Sequence, residues 1–283
     1  MKYENPHIPE GINTSPEHPL RTFFMLSLGL LVVISFSAWL LGIASGFLAK
    51  QVSWEQELQL AGQYAVELEE TVPTGSSMQR YLQSLSNRVA KSMQLPEEMN
   101  IKVGYVDDGL ENAFATLGGH VFFFRGLLER LDSENALAML LAHEIGHIRH
   151  RDPIVSVGQG AAISLGTMLL LHKNDAQLLS SAGLLTQMNF GRDMERAADE
   201  IGLQAVNELY GHVGGALDLY RVLGSLSDDD EDFQSATAFF ATHPASRDRL
   251  DDLQNLAEQK NWPLIGELTP LPADFEDWLS AGY

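Results

Sequence analysis

With 283 residues, 45% of them hydrophobic, the chain can bury one core of ordinary domain size plus flanking segments, but not several large domains. A formal charge of −20 excludes the clustered Lys and Arg surface that nucleic acid or anionic lipid would need, so no nucleic-acid partner is expected. The absence of Cys excludes disulfides, thiolate-ligated metal and a cysteine nucleophile, and leaves the redox compartment open.

Residues 1–20 are proline-rich without hydrophobic periodicity and read as a disordered tail. Thr22 to Ala49 is then an uncharged apolar run between Arg21 and Lys50. At about 28 residues it exceeds the roughly 20 that a bilayer-crossing helix needs. A cleaved signal peptide has an apolar core of only about 7–15 residues, so 21–49 is expected to be a retained single-pass anchor. Lys2 and Arg21 on one side oppose Lys50 on the other, so the acidic bulk after Lys50 sets the expected orientation: tail cytoplasmic, main domain translocated.

Helical spacing predicts helices over Trp54–Val72 and Ser76–Leu95, broken at Pro73-Thr74-Gly75. A β section follows, with Ile101–Val106, the short Asn112–Ala115 and the strand-like His120–Phe124, and Gly118-Gly119 as a turn. Leu131-Asp132-Ser133 offers a helix cap for a segment running to about His150, closed by Asp152-Pro153. Pro153 to His172 is a second uncharged stretch, but its Ser, Gly, Gln and Thr content favours a flap or membrane-surface helix over a second crossing. Further helices are expected over Arg192–Leu209, Gly215–Leu226 and Ser246–Gln259. The acidic run Asp228–Asp232 lacks the ligand alternation of a calcium loop and reads as a solvated connection. The main domain is thus expected over 50–260, with an irregular tail over 261–283.

Within the capped helix lies His143-Glu144-Ile145-Gly146-His147. Residues at i and i+4 share a helical face, so both imidazoles can reach one zinc ion, with Glu144 beside them as a proton acceptor and donor for a hydrolytic water. Two surface histidines are the bland alternative, but the surrounding helix is apolar, where unpaired His and Glu are costly. A catalytic zinc takes three protein ligands and keeps one position open. Glu195 is the best candidate for the third. Asp199, one turn on, is suited to orient a zinc-bound imidazole. Arg192 and Arg196 could instead pair these acids on a solvated face.

These motifs, together with His243-Pro244 and Arg249, resemble the HtpX-like, CaaX-prenyl-protease-type gluzincin metallopeptidases over roughly Asp107 to Leu250. The resemblance implies an α+β zincin-type domain, mostly helical with a small sheet, behind one N-terminal transmembrane helix. It implies that Asn112, Ala113, Phe114 and Ala115 form an edge strand that binds polypeptide substrate as an added strand. It implies catalytic roles for His243 and Arg249 at the oxyanion; Arg247 competes on sequence alone, but the family spacing favours Arg249. The expected activity is zinc-dependent hydrolysis of internal peptide bonds, with one zinc per chain held by His143, His147 and Glu195. Expected substrates are unfolded or damaged envelope proteins at a bacterial inner membrane, the catalytic domain lying on the periplasmic side. The alternative is a chaperone-like binding module whose zinc site is capped or vestigial. A mobile His243 is also expected to be able to swing in as a fourth ligand in a resting state.

Overall fold

The computed structural model describes residues 19–64, 75–171, 190–221, 239, 243 and 249–280. Of the tail expected over 1–20, residues 1–18 lie outside the described residues, as do the acidic run Asp228–Asp232, Arg247 and the ends of the helices predicted to Val72 and Leu226, whereas Pro19 and Leu20 are helical.

Helix α1 (Pro19–Ala49) is long and apolar enough to cross a membrane and is 0% buried over its most apolar window. After a tight turn comes α2 (Trp54–Tyr64). Helix α3 (Ser77–Ser92) starts where the Ser76 hydroxyl accepts the Gln79 N–H at 3.0 Å, and it buries Met78, Leu82, Leu85 and Val89 at helical spacing. It stops before the predicted Leu95 because Gln94 turns left-handed at φ 51°.

The sheet has the order β1-β3-β2, with β1 (Lys102–Val106) parallel and β2 (Ala113–Thr116) antiparallel to the central β3 (His120–Phe124). The turn at Leu117–Gly119 needs Gly118 and Gly119, at φ 72° and 82°. The outer edge of β1 is closed by glutamine side chains from α3. Gln83 bonds Ile101 O at 2.9 Å and the Val103 N–H at 3.0 Å, and Gln79 accepts the Tyr105 N–H at 3.1 Å. Side-chain amides thus stand in for a neighbouring strand. No strand among the described residues pairs with the outer edge of β2.

After the short α4 (Arg125–Leu128), α5 (Glu134–His150) runs through the core, capped by Ser133, whose hydroxyl accepts the Ala136 N–H at 3.2 Å. Its residues 134–148 are all buried. Arg151, left-handed at φ 64°, ends it. Asp152-Pro153, expected to close α5, instead opens α6 (Asp152–Leu171). This helix packs along α1, with Gly46 against Val155 and Gln159, and Gly158 against Ala49. Small residues on both helices permit that approach.

Helix α7 (Arg192–Tyr210) lies antiparallel to α5, with Ala198 beside Gly146 and Gly202 beside Met139 and Ala142. A helical stretch over 216–221 precedes α8 (Arg249–Lys260). The tail expected to be irregular ends in α9 (Phe275–Ser280), which puts Phe275 and Leu279 into the same core as α3 and α5. The three prolines of 263–272 hid this, because they interrupt the chain before the amphipathic turn begins.

Candidate metal centre

The last two turns of α5 and the first turns of α7 face each other across a buried polar pocket. The facing atoms are His143 Nε2, His147 Nε2, a Glu195 carboxylate oxygen and His243 Nδ1, all within 4.8 Å of one another. His143 Nε2 lies 3.1 Å from His147 Nε2 and 3.3 Å from His243 Nδ1. Glu195 lies 3.5 Å from His143 Nε2, 3.4 Å from His147 Nε2 and 2.9 Å from His243 Nδ1.

Zinc bonds to N and O of about 2.0–2.2 Å set tetrahedral ligand atoms about 3.3–3.6 Å apart, so donors separated by 2.9–3.5 Å lie close enough together to share one ion. Donor chemistry agrees, with three imidazoles and a carboxylate, all at most 3% exposed. Burial pushes the Glu195 pKa up, but the charge on His243 and hydrogen bonds from His143 and His147 overcome this and hold it well below the usual carboxylate range. Burial likewise lowers the His143 pKa, yet its contacts with Asp199 and Glu195 win and raise it to about 10. The pocket therefore keeps its acid ionised and favours a cation, and a metal ion would replace the imidazole proton.

The partners behind the cluster fix its geometry. Asp199 Oδ1 sits 2.8 Å from His143 Nδ1, and Asp152 Oδ2 sits 2.9 Å from His147 Nδ1, so each imidazole has a carboxylate on the nitrogen turned away from the centre. Burial raises the Asp199 pKa, but hydrogen bonding to His143 and the charge of Arg249 bring it to about 2. Arg249 clamps Asp199 with two bonds of 2.7 Å and reaches Glu195 Oε2 at 3.0 Å. It lies over the ring of Tyr220, whose hydroxyl meets Asp199 Oδ1 at 2.5 Å. Arg249 is thus engaged with the two carboxylates, while His243 stands among the candidate ligands. Phe190 stacks on His147 at 4.0 Å and Phe239 on His243 at 4.6 Å, walling the imidazoles with apolar rings.

Glu144 is fully buried, and neither of its oxygens has a hydrogen-bond partner among the described residues. His243 Nε2 lies 3.4 Å from Glu144 Oε1. Ala113 and Ala115 of β2 are buried where that strand meets α5; Asn112 directly precedes the strand, Phe114 is half-buried, and Thr116 completes it.

Asp152, Phe190, Tyr220 and Phe239 were not among the expected site residues. Asp152 had a signal, an acid five residues past His147, which its reading as a helix stop concealed.

The model of peptidase family M48 matches residues 76–257, which span the sheet, the metal cluster and α8. The chain belongs to peptidase family M48. Members of this family use zinc, in agreement with the donor set. The chain is 30% identical over 154 residues to the mitochondrial metalloendopeptidase OMA1 of Schizosaccharomyces pombe, covering 53% of this chain and 44% of that protein. It is 26% identical over 226 residues to the beta-barrel assembly-enhancing protease of Yersinia pestis, covering 74% of this chain and 45% of that one. With the Escherichia coli protein of the same description it shares 27% identity over 227 residues, covering 72% and 44%. The matched region thus spans less than half the length of these M48 relatives.

Proposed function

We propose that this M48 protein is a membrane-anchored zinc endopeptidase acting on unfolded or damaged membrane and envelope proteins. The observation that carries the activity is a buried cluster of four metal donors with a carboxylate that has no hydrogen bond among the described residues, Glu144, beside it. A carboxylate buried without hydrogen bonds costs on the order of 1–3 kcal/mol or more, a cost that a proton-transfer role explains. His143, His147 and Glu195 would hold the metal. When bound, zinc supplies the Lewis acidity that makes water nucleophilic at neutral pH and polarises the scissile carbonyl. Glu144 takes the proton of the attacking water and returns it to the departing amine. Asp199 and Asp152 keep the ligating imidazoles in the correct tautomer, and Arg249 acts through Asp199 and Glu195 as a positioning residue.

An extended peptide fits the outer edge of β2, contributed by Asn112, Ala113, Phe114 and Ala115. The glutamine closure of β1 supports this reading, since it leaves β2 as the edge where a further strand can add. His243 gives the resting state: as fourth donor it would fill the position that substrate and water need, and it must swing away before turnover, when it can serve the oxyanion. The anchor α1, together with relatives described as a mitochondrial metalloendopeptidase and a beta-barrel assembly-enhancing protease, supports action in membrane-protein quality control. We place the catalytic domain on the translocated, periplasmic side of a bacterial inner membrane, on the acidic charge after Lys50. The HtpX-like, CaaX-type placement within M48 rests on the three motifs alone.

A capped binding module without turnover is the second reading, and the observation in its favour is the same His243 imidazole in the fourth position. Incubating an unfolded model protein with wild type and with Glu144→Gln separates the two. Degradation by wild type that falls about 10³-fold in the variant, at unchanged zinc content, supports the peptidase. Equal protection from aggregation by both, without cleavage, would establish the binding module.

A further inference from the structure

Two short, rigid routes join the anchor to the metal cluster, and together they fix how far the cluster stands from the membrane. The first is α6. Asp152 contacts His147, and one and two turns later Val155 and Gln159 meet Gly46 of α1: a Cβ there would lie 3.6 Å from Val155 Cγ1 and 3.5 Å from Gln159 Nε2. One helical turn rises about 5 Å, so the Asp152–His147 contact lies on the order of 10 Å or less along α6 from the level of Gly46. Gly46 is inside the uncharged run that Lys50 ends. Beyond Asp152, α6 carries no charged residue and lies along α1. The face of α1 that is partly covered follows a stripe of Ser27, Ile34, Gly42, Ser45 and Gly46, ending at buried Ala49.

The second route is α2. Its connection to α1 is closed by backbone bonds from Lys50 to Gly46 (3.3 Å), Gln51 to Leu48 (3.0 Å) and Val52 to Ala49 (3.1 Å). Glu57, 2% exposed, receives Arg151 at 2.7 and 2.8 Å and the Gly118 N–H at 3.0 Å. Arg151 also bonds Val52 O at 2.9 Å and lies over Trp54. One buried carboxylate thus ties the helix next to the membrane to the end of α5 and to the turn between β2 and β3. The contact is close: a Cβ on Gly118 would fall 2.6 Å from Ala61 Cβ. With a net charge of −20 the domain has no general electrostatic attraction to an anionic surface, so these packed contacts must hold its position.

We propose that the metal cluster is held at a fixed height at the bilayer surface, with α6 entering the bilayer beside α1, and that its substrates are unfolded polypeptide segments where they emerge from the membrane. The proposal rests on reading the chain as a membrane-anchored zinc endopeptidase, and it adds a distance limit that a flexible tether would not impose. α5 and α7 set the scale inside the protein. The Glu134 and Tyr210 ends lie about 25 Å from the metal ends along these helices, the length of a 17-residue helix, so with the cluster held at the surface those far ends would stand off from it.

The test uses the full chain in phosphatidylcholine vesicles and one cleavable unfolded cassette. The cassette is presented free in solution, or on a transmembrane segment behind rigid helical spacers of about 0, 10, 20 and 40 residues, up to about 60 Å. Cleavage is expected to fall about tenfold or more between the shortest and longest spacers. Equal rates at all spacers, with the free cassette also cut, overturn the height limit. No cleavage of any cassette, free or tethered, defeats the peptidase reading instead, and a second measurement then decides the height alone. The cysteine-free chain accepts single labels through Arg192→Cys, at the metal end of α7, and Glu267→Cys, near the far end of α5; both positions are exposed. Fluorophores there, challenged with spin-labelled lipid, are expected to be quenched strongly at 192 and weakly at 267. Equal, weak quenching at both overturns the proposal.

Discussion

Helix α5 carries a buried acidic site at each end, and the two are built on opposite rules. At its first turn Glu134 is fully engaged: Oε1 accepts Arg88 and Tyr210 at 2.9 Å each, and Oε2 accepts Tyr81 at 3.0 Å. These bonds tie α3, α5 and α7 together. At the other end, the oxygens of Glu144 and Nε2 of His243 are buried without hydrogen-bond partners among the described residues, and the His147 and His243 imidazoles crowd within 3.3 Å of His143. A satisfied buried network stabilises and specifies a fold, whereas one left short of partners is tolerated where a ligand completes it. The Glu134 end therefore reads as structure and the Glu144 end as chemistry, and substitutions at each should move different observables.

The largest effect is expected at the metal end. Glu195→Ala removes one of the donors and should leave the purified protein with little of the one zinc per chain that wild type holds, measured by metal analysis after dialysis. Asp199→Ala, which strips His143 and Arg249 of their shared partner, should weaken zinc by about 10–100-fold. Normal zinc content in Glu195→Ala would remove that residue from the ligand set. In neither variant should the ionisation of Tyr81 or Tyr210 change.

His243→Ala tests whether the fourth position is a latch. Zinc should become extractable by chelator several-fold faster, and any lag before cleavage should shorten. Steady turnover should still fall, by about 10²-fold if the imidazole also serves the oxyanion. Slower turnover with unchanged lag and chelator access would leave His243 a catalytic group without a latch role.

Much of the metal end was legible in the sequence because its spacing is local. His143 and His147, and Glu195 and Asp199, are one helical turn apart, so the helical period alone puts each pair on one face. The strands, the Ser133 cap and α1 were legible for the same reason. What escaped depends on tertiary contact. Asp152 looks like a helix stop until α6 is seen to start there and turn its carboxylate to His147. Arg249 was expected at the oxyanion, and only the fold shows it engaged with Asp199 and Glu195. Glu134 gathers its partners from sequence separations of 46, 53 and 76 residues, which no periodicity reveals. The composition of Pro153–His172 favoured a flap or membrane-surface helix over a second crossing; what composition did not show is that its small residues let α6 approach α1.

At the structural end, Glu134→Ala should lower stability by about 2 kcal/mol, since it strands two phenols and one half-exposed guanidinium. Zinc content and turnover per folded molecule should stay at the wild-type level. Denaturant unfolding followed alongside activity measures both, and a variant that unfolds normally but loses zinc would join the two ends that we separate.

The smallest effect is a titration. Burial, followed by the negative charge of Glu134, raises the pKa of both Tyr81 and Tyr210 well above the ordinary value of 10. Tyr220 is raised too, by burial and then by Asp199. In the unfolded chain all three phenols lose their protons near pH 10, while the folded protein keeps them. The folded state then binds more protons than the unfolded state, so stability falls as pH rises above about 10 and is insensitive to these groups below it. The melting temperature should accordingly drop between about pH 10 and 11, and tyrosinate absorbance should show Tyr81, Tyr210 and Tyr220 silent until the protein unfolds. Glu134→Ala should bring Tyr81 and Tyr210 part of the way back, because burial remains, while Tyr220 stays silent on Asp199 at the metal end. If Tyr220 moved with the other two, the ends of α5 would be one electrostatic unit and the comparison would fail.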